Sequence, residues 1–319
     1  MKSLKIIFMG TPVFALPSLD AMHSSLHHLE AVVTRPDRPK GRGHRLQLAP
    51  AAEWARNKAI DIARPTRMQD RSFQAWLKEK RPDLIVTVAY GRILPPEILN
   101  LPRLGCINLH ASYLPAYRGA APIHRAVIEG AQCSGVSIIK LIPELDAGDI
   151  IIQEKEPLFL SDTAGTLHDR LAEKGSSLLV RAIDALAEGT AEPVPQDHEQ
   201  ATYAPPLRND EERLDWNLTP LELFNRIRGF NPWPGAYTTF KGKRLKVWRA
   251  AWPEENNSKS KGEKPGTILE AGENSLTVAT GQKGALTLTE LQPAGKRVMD
   301  ASSFCCGYRI EPGLRLDGE

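Results

Sequence analysis

Three side chains with complementary chemistry stand out in the sequence: Asn108, His110 and Asp146. Asn108 and His110 end the apolar run "GCINLH", and in a strand this spacing places both side chains on the same face. An amide is a neutral hydrogen-bond donor, and an imidazole is a donor or a titratable base, so the pair suits a carbonyl that becomes tetrahedral. Taken alone, however, the pair is more typical of a capping Asn and a structural His.

A second apolar run, "GVSIIKLI", leads to Asp146 and Asp149, which flank Gly148 in a predicted turn. Acidic residues are common in turns for structural reasons. An Asp beside an Asn and a His at adjacent strand ends nevertheless forms an acid–base constellation. Between the two runs we predict a loop around Pro115, forming one wall of a pocket, and a helix that begins at Pro122.

The elements that would position these residues are those of an open α/β domain over residues 1–189. Continuous apolar runs indicate strands that are buried on both faces of a parallel sheet, and such sheets bind ligands at the carboxyl ends of their strands. A long helical pattern, "TLHDRLAEKGSSLLVRAIDALAEG", ends the domain at Gly189. The predicted strands are "KIIFMG", "LEAVVT", "DLIVTVAY", "GCINLH" and "GVSIIKLI".

The rest of the chain divides into a linker and a second domain. Residues 190–208 are rich in proline and lack apolar periodicity, which predicts an extended linker. Residues 209–319 contain one helical pattern, "TPLELFNRIRGF", followed by short alternating runs such as "RLKVWRA", "NSLTVAT" and "ALTLTELQ". These runs predict a small antiparallel barrel.

Composition excludes several classes of protein. The chain has 319 residues, 41% of them hydrophobic and 25% charged, as expected for a globular protein of two domains. A net charge of +3 is too small to indicate a nucleic-acid partner by itself. The four cysteines form no C-x-x-C pair, which favours reduced thiols in the cytosol, and no apolar run is long enough to predict a signal peptide or a membrane span.

Cofactor motifs are also missing. Only Gly10 occupies the turn where a dinucleotide-binding domain has G-x-G-x-x-G, and no phosphate-binding G-x-x-x-x-G-K-[ST] follows a strand. We therefore expect neither a nicotinamide nor a flavin. His23, His27 and His28 have a spacing compatible with a metal, but without nearby carboxylates or cysteines we expect no metal site.

Two basic clusters remain. The segment "RPDRPKGRGHR" contains two Gly and two Pro, which predict a mobile loop that is neither helix nor strand. The run "KGKRLKVWR" places basic residues around Trp248 on a predicted barrel strand. Either cluster alone is typical of a solvated surface, whereas two clusters in separate domains also suit a phosphate backbone that contacts both.

Taken together, these motifs make the chain resemble the methionyl-tRNA formyltransferases, a family of folate-dependent formyltransferases, nearly end to end. The Asn-x-His and the Asp turn are common to enzymes that use 10-formyltetrahydrofolate on this fold, so they specify only the chemistry. The arginine segment "RPDRPKGRG" and the stretches "NPWPGAYT" and "LQPAGK" specify the tRNA enzyme. The matching stretches are "GTPVFA", "RPDRPKGRG", "VAYGRILP", "GCINLHASYLPAYRGAAPI", "LDAGDI", "NPWPGAYT" and "LQPAGK".

The resemblance implies a doubly wound, mostly parallel, Rossmann-like domain followed by a small OB-like β-barrel that binds tRNA. It implies transfer of a formyl group from 10-formyltetrahydrofolate to the α-amine of methionine on initiator tRNA, for translation initiation. We accordingly expect a cytoplasmic monomer whose partners are folate and tRNA and which has no resident metal.

The resemblance also assigns residues. It gives catalysis to Asn108, His110 and Asp146, and it puts Arg42 at the position of an acceptor-stem reader. We expect further tRNA contacts from Arg38 and Lys40 of the same segment and from Lys243 and Lys246 of the barrel. The predicted folate contacts are Ser112, Tyr113, Leu114, Pro115, Val88, Ala89, Tyr90, Gly91 and Ile93.

This sequence departs from the family pattern at three positions, namely Ala111, Tyr113 and Pro206, and we expect no catalytic or tRNA role for Pro206. The nearest alternative is another 10-formyltetrahydrofolate enzyme that acts on a sugar nucleotide or a purine-pathway amine. That enzyme would carry "NLHASYLP" without the tRNA-type C-terminal domain. A binding module without catalysis would require a broken triad, and the triad is intact.

The mechanism that we expect divides three tasks among the triad. The amide of Asn108 and the ring of His110 donate hydrogen bonds to the oxyanion. Asp146 orients His110 and favours its charged form, and a water held by Asp146 relays the proton.

Overall fold

The computed structural model describes residues 2–40, 45–253, 260, 262–272 and 276–317, with the backbone alone for residues 38–40 and 45–47. These residues form two compact units. The first comprises Met1–Pro122, Cys133–Pro157 and His168–Pro205, and the second comprises Ile123–Gln132, Leu158–Leu167 and Pro206–Glu319. The sequence predicts two domains, 1–189 and 209–319, each formed by one continuous stretch of the chain and joined by a linker. Each compact unit instead combines three separate stretches of the chain.

The elements are numbered in chain order. The strands are β1 Lys5–Gly10, β2 His28–Val33, β3 Arg38–Lys40, β4 Arg45–Gln47, β5 Asp61–Ala63, β6 Leu84–Val88, β7 Cys106–His110, β8 Arg118–Gly119, β9 Cys133–Lys140, β10 Ile150–Pro157, β11 Tyr203–Ala204, β12 Tyr237–Phe240, β13 Lys243–Ala250, β14 Ile268–Ala271, β15 Leu276–Ala279, β16 Ala285–Pro293 and β17 Met299–Asp300. The helices are α1 Leu16–His23, α2 Pro50–Asn57, α3 Arg71–Lys80, α4 Pro96–Leu99, α5 Pro122–Ile128, α6 Ala164–Glu188, α7 Pro220–Gly229 and α8 Ala301–Tyr308.

The first unit contains a seven-stranded sheet in the order β10-β9-β7-β6-β1-β2-β5. Strands β7, β6, β1, β2 and β5 run parallel to their neighbours within this set. All five residues of β6 are buried, as expected for a central strand that is covered on both faces. The predicted α/β fold with a mostly parallel sheet is confirmed.

One strand of this sheet, β9, runs against the others, whereas β10 beyond it runs in the same direction as β7. Strand β9 pairs antiparallel with β7, and β10 pairs antiparallel with β9. In this register Ile107 lies opposite Lys140, and His110 lies opposite Ser137. The carboxyl end of β9 therefore lies at the amino end of β7, and the loop over residues 141–149 must run back along the sheet to approach His110.

The carboxyl ends of β6 and β7 lie side by side, because the two strands are parallel and Val88 pairs with Leu109. The loops that follow them, residues 89–95 and 111–117, consequently begin at one edge of the sheet. This edge is where an α/β sheet is expected to bind its ligand.

The segment predicted to be neither helix nor strand contains a short ladder. Strands β3 and β4 pair antiparallel, with Arg38 opposite Gln47 and Lys40 opposite Arg45. The prediction is wrong for these residues because each strand of a two-stranded ladder is an edge, where a proline such as Pro39 is tolerated. Residues 41–44 lie outside the described part of the chain.

The segment predicted as a linker, residues 190–208, is hydrogen-bonded to the first unit along much of its length. Val194 and Ile150 exchange backbone hydrogen bonds of 2.8 and 2.9 Å. Strand β11 then pairs in parallel with β8. The segment is therefore part of the structure of the first unit as far as Pro205.

The second unit contains an antiparallel sheet in the order β12-β13-β16-β15-β14, with β17 also pairing with β16. Helices α7 and α8 supply apolar side chains such as Leu223 and Phe304, both fully buried, to the core of this unit. Helix α7 begins with a capping box in which Thr219 and Glu222 each bond the other's backbone N–H. The predicted small barrel-like C-terminal domain is confirmed. Among the residues that the structure describes, no helix is both long and apolar enough to cross a membrane.

Candidate active site

Asn108 lies on β7 opposite Thr87 of β6. The Thr87 hydroxyl donates to Oδ1 of Asn108 at 2.6 Å, a separation that suits an O–H···O bond and is short for an N–H···O bond. The carbonyl oxygen of the amide is therefore engaged by Thr87. The Asn108 amide N–H groups are left on the opposite side of the carboxamide, where they can donate to a ligand.

His110 is two residues further along the strand, and its side chain is only 6% exposed. Its Nε2 lies 2.9 Å from the carbonyl oxygen of Tyr117, and its Nδ1 lies 3.5 Å from Oδ2 of Asp146. Both ring nitrogens consequently face acceptors, and only the doubly protonated ring can donate to both. The ring therefore lies between two oxygen atoms that can accept a hydrogen bond.

Asp146 lies in the loop after β9 with a left-handed backbone, φ 49°. Its Oδ2 accepts a hydrogen bond of 2.9 Å from the backbone N–H of Gly119, and this same oxygen faces His110. The backbone of the turn is held from another direction, because the Gln196 amide donates to the carbonyl oxygens of Asp146 and Gly148 at 2.8 and 2.7 Å. The structure therefore brings the three predicted catalytic residues together.

The loop after β7 contains four of the predicted folate residues. The Ser112 hydroxyl is fully buried and donates to the carbonyl oxygen of Ala116 at 2.6 Å, so it shapes the loop. Leu114 is also buried, and its backbone N–H donates to Ser137. Tyr113 and Pro115 are partly exposed and are the members of this group whose side chains can contact a ligand.

The loop after β6 contains the other predicted folate residues. Val88 and Tyr90 are buried, whereas Ala89, Gly91 and Ile93 are exposed. Burial raises the pKa of the Tyr90 hydroxyl, which donates to the sulfur of Met68 at 3.3 Å.

Arg35 binds the backbone of this same loop. Its Nε donates to the carbonyl oxygen of Tyr90 at 2.9 Å, and its Nη2 donates to the carbonyl oxygen of Gly91. The backbone of Gly91 is left-handed, φ 67°, and a Cβ at this position would collide with the Arg35 guanidinium. Glycine is therefore the residue that lets the loop accept this contact.

The predicted tRNA residues differ in their surroundings. Lys243 is exposed at the start of β13. Lys246 is partly buried, with its Nζ donating to the carbonyl oxygen of Pro234 at 2.9 Å and lying 5.0 Å from the centre of the Trp248 ring. Arg42 and the side chains of Arg38 and Lys40 lie outside the described residues.

Two other predictions are that Pro206 has no catalytic or tRNA role and that the three N-terminal histidines hold no metal. The carbonyl oxygen of Pro206 accepts a hydrogen bond from Arg125 at 3.0 Å. Of the three histidines considered for a metal, His23 packs edge-on against Trp54, and His28 faces Glu30 at 3.3 Å. His27 is buried, with Nδ1 accepting from the Leu4 backbone and Nε2 facing Asp184.

Sequence reasoning missed three polar residues around the triad. Thr87 contacts Asn108, Gln196 binds the turn that contains Asp146, and Arg118 binds Gln196. The Thr87 hydroxyl lies within a run of strand-forming residues, where a β-branched threonine fits without a functional role. Gln196 lies in the proline-rich segment, in which nothing in the spacing indicates burial. Arg118 follows the pocket loop, and nothing in the spacing of the sequence indicates that its side chain is buried.

Comparison with known proteins decides the family. Residues 4–183 match the family described as formyl transferase, and residues 206–309 match the formyl transferase C-terminal domain. A methionyl-tRNA formyltransferase of Moorella thermoacetica is 47% identical over 97% of this chain and 98% of its own length. The chain belongs to the methionyl-tRNA formyltransferase family. The predicted resemblance is confirmed over nearly the whole chain.

Solved structures share the fold of this formyltransferase family. A methionyl-tRNA formyltransferase from Clostridium thermocellum matches with a TM-score of 0.54 at 18% identity, over 78% of this chain and 93% of that one. HypX from Aquifex aeolicus, solved in complex with tetrahydrofolic acid, matches with a TM-score of 0.62 at 17% identity over 95% of this chain. The chain spans about half the length of HypX, with 47% of that chain covered.

Proposed function

We propose that this chain transfers the formyl group of 10-formyltetrahydrofolate to the α-amine of methionine on initiator methionyl-tRNA. The observation that carries the proposal is the arrangement of Asn108, His110 and Asp146 at the edge of the sheet, in a chain that belongs to a formyltransferase family. Because the acceptor is initiator methionyl-tRNA, we propose that the enzyme acts in the cytoplasm, as a monomer. The folate donor is a cosubstrate that is consumed in each turnover.

The reaction requires a neutral amine to attack the formyl carbon on N10 of the folate. The new C–N bond pushes the carbonyl electrons onto oxygen, and this oxyanion is stabilised by the free N–H of the Asn108 amide. The C–N10 bond then breaks as the oxyanion collapses. During these steps the attacking amine loses a proton and N10 gains one.

His110 and Asp146 perform the electrostatic and proton-transfer tasks. With Nε2 donating to Tyr117 and Nδ1 facing Asp146, the charged ring of His110 stabilises the oxyanion mainly through its positive charge. Asp146 favours the charged ring, and a water held by Asp146 relays the proton from the amine toward N10. This refines the sequence-based hypothesis, in which His110 donates directly to the oxyanion.

Folate is proposed to bind against the two loops at the sheet edge. The exposed residues Ala89, Gly91 and Ile93 and the partly exposed Tyr113 and Pro115 form the contact surface. Val88, Tyr90, Ser112 and Leu114 are buried and determine the backbone course of these loops. Recognition of tRNA is proposed to use Arg38, Lys40 and Arg42 of the arginine segment.

For the barrel we propose that Lys243 contacts phosphate and that Lys246 acts mainly by holding Pro234. Lys243→Ala should reduce the slope of log affinity against log salt by about 1, because one phosphate contact is lost. Lys246→Ala is the matched control in the same strand and should change the slope less. An unchanged slope for Lys243→Ala would reject the phosphate contact.

One assay tests the function. Labelled formyl transfer from 10-formyltetrahydrofolate is measured with charged initiator tRNA, charged elongator tRNA, free methionine and an amino-sugar nucleotide. Transfer to charged initiator tRNA alone is expected. Transfer to the amino-sugar nucleotide would support the alternative acceptor, and transfer to all acceptors or to none would overturn the proposal.

The triad is tested by Asn108→Ala. Loss of one oxyanion donor typically lowers kcat about 10²- to 10³-fold, equivalent to about 2.7–4 kcal/mol. Folate affinity should stay close to that of the wild type, because the donor acts mainly in the transition state. Turnover of this variant at the wild-type rate would remove Asn108 from the mechanism.

A further inference from the structure

The side chain of Gln196 is buried in a network that the proposed mechanism does not use. Gln196 is 6% exposed and comes from the segment predicted as a linker. Its Nε2 donates to the carbonyl oxygens of Asp146 and Gly148 at 2.8 and 2.7 Å. Its Oε1 accepts from Nε and Nη2 of Arg118 at 3.1 and 2.7 Å. Both amide protons and the carbonyl oxygen are therefore engaged.

Arg118 determines which way the Gln196 amide faces. Arg118 is 3% exposed, and its guanidinium can only donate hydrogen bonds. The amide oxygen must therefore face Arg118, which leaves the amide nitrogen facing the turn. The guanidinium is held in place in addition by Nδ1 of His198 at 3.2 Å, and the Arg118 backbone N–H donates to Thr202 at 2.8 Å.

The turn that Gln196 binds needs outside support. Asp146 has a left-handed backbone, which is unfavourable for a residue with a Cβ, although Asp tolerates it better than most. A Cβ at Gly148 would collide with the carbonyl oxygen of Lys140, so the backbone passes very close to β9 at this point. Hydrogen bonds to the carbonyls on either side of residue 147 hold this conformation from outside the turn.

The position of this turn determines where the Asp146 carboxylate lies. The loop runs back from the carboxyl end of β9, and the carboxylate reaches His110 at 3.5 Å while accepting from Gly119 at 2.9 Å. Gly119 follows Arg118 in β8, so the residue that orients Gln196 also adjoins the donor that holds the carboxylate. The backbone of Asp146 is thus held by Gln196, which Arg118 orients, and its carboxylate is held by Gly119.

We propose that Gln196, oriented by Arg118, is a positioning residue that holds the turn over residues 146–148 so that Asp146 faces His110. Its effect on catalysis rests on the proposed formyl transfer, whereas its effect on the geometry of the site does not. The segment 190–205 therefore contributes to the active site from outside the sheet.

The test uses two variants with different chemistry. Gln196→Met keeps the length of the side chain and removes all four hydrogen bonds. Gln196→Glu keeps the acceptor for Arg118 but offers no amide protons to the carbonyls of Asp146 and Gly148. The matched control is Gln200→Met in the same segment, because Gln200 is exposed and its side-chain amide donates to Asp197 at 2.7 Å, away from the turn.

We expect kcat to fall about 10- to 100-fold in both Gln196 variants, from the loss of two hydrogen bonds to the turn, with the KM for the folate donor nearly unchanged. Gln200→Met should match the wild type. A merely structural role would reduce the free energy of unfolding and leave the kcat of the folded protein unchanged. That outcome, in either variant, would overturn the proposal.

A second readout does not depend on turnover. The NMR resonances of the His110 ring are recorded at one pH in the wild type, in Gln196→Glu and in Asp146→Asn, which removes the carboxylate charge directly. These resonances should shift in the same direction in both variants, because the Asp146 carboxylate no longer faces Nδ1 of His110. If the wild type lacks formyl transfer, the proposed function fails while this comparison still tests Gln196. Wild-type resonances of His110 in Gln196→Glu would overturn the positioning role.

Discussion

Thr87→Val tests how the amide of Asn108 is oriented. Valine keeps the size and β-branching of threonine, and the residue is 5% exposed, so the substitution removes the hydroxyl with little change in packing. The lost interaction is the 2.6 Å hydrogen bond to Oδ1 of Asn108. Without it, the carboxamide can rotate and present its oxygen, rather than its N–H, to the formyl group.

The expected magnitude follows from the hydrogen bond. A typical intramolecular hydrogen bond contributes about 0.5–1.5 kcal/mol, and each 1.36 kcal/mol corresponds to about tenfold in rate. We therefore expect kcat to fall about 2- to 12-fold. The loss must stay below the 10²- to 10³-fold expected for Asn108→Ala, because part of the population keeps the productive orientation.

The assay is a double-mutant cycle on formyl transfer. In an Asn108→Ala background the hydroxyl has no amide to orient, so adding Thr87→Val should lower kcat no further. Thr87→Ser keeps the hydroxyl and should restore most of the activity lost in Thr87→Val. Additive losses in the double mutant, or a Thr87→Ser variant as slow as Thr87→Val, would refute the orienting role of the hydroxyl.

Three further predictions concern other parts of the chain. Thr219→Ala should lower the free energy of unfolding by about 1 kcal/mol at pH 7, measured by urea denaturation. The Thr219 hydroxyl and backbone N–H hold the pKa of Glu222 below its usual range. The difference in free energy of unfolding between the wild type and Thr219→Ala should therefore diminish as the pH falls through that lowered pKa. A difference that stays constant with pH would contradict the capping box. Burial raises the pKa of the Cys106 thiol to about 12, so iodoacetamide at pH 8 should label exposed Cys133 while Cys106 stays unmodified in the native protein, as read by mass spectrometry. Leu223→Ala, at a fully buried position, should cost about 2–5 kcal/mol of stability, and a cost below 1 kcal/mol would contradict its place in the core.

The sequence predicts which segments of the first unit form strands and which functional side chains lie at the ends of those strands. It predicts the direction of the strands less well. The spacing of Asn108 and His110 places them together because alternation within one strand is a local property. The sequence predicts Asp146 nearby because "GVSIIKLI" has the continuous hydrophobicity of a strand in a parallel sheet. Strand β9 is instead antiparallel, and Asp146 approaches His110 through its loop.

The reason is that continuous hydrophobicity reports burial and not direction. Six of the eight residues of β9 are buried, as in a parallel central strand, although both of its partners run the other way. Orientation depends on the course of the connecting segments, which local patterns do not encode. The roles assigned to the three residues stay predictions until the variants are assayed.

The supporting residues could not be predicted for a different reason. Gln196 lies 48 residues from Gly148 and 78 residues from Arg118 along the chain, so no spacing connects these side chains. Its neighbourhood of prolines indicates an extended chain and gives no sign that one amide becomes buried. Short-range patterns identify groups that react, whereas groups that orient them depend on contacts between distant segments.

The attachment of Arg35 to the loop after β6 has a consequence for protein engineering. Arg35 opens the arginine segment by sequence, yet its guanidinium binds the carbonyl oxygens of Tyr90 and Gly91. Exchanging this segment with that of a relative, to test its proposed role in tRNA recognition, would therefore also disturb the loop proposed to hold the donor. A graft that begins after Arg35 leaves both hydrogen bonds in place, so residue 36 is the natural boundary for building chimaeras of this enzyme family.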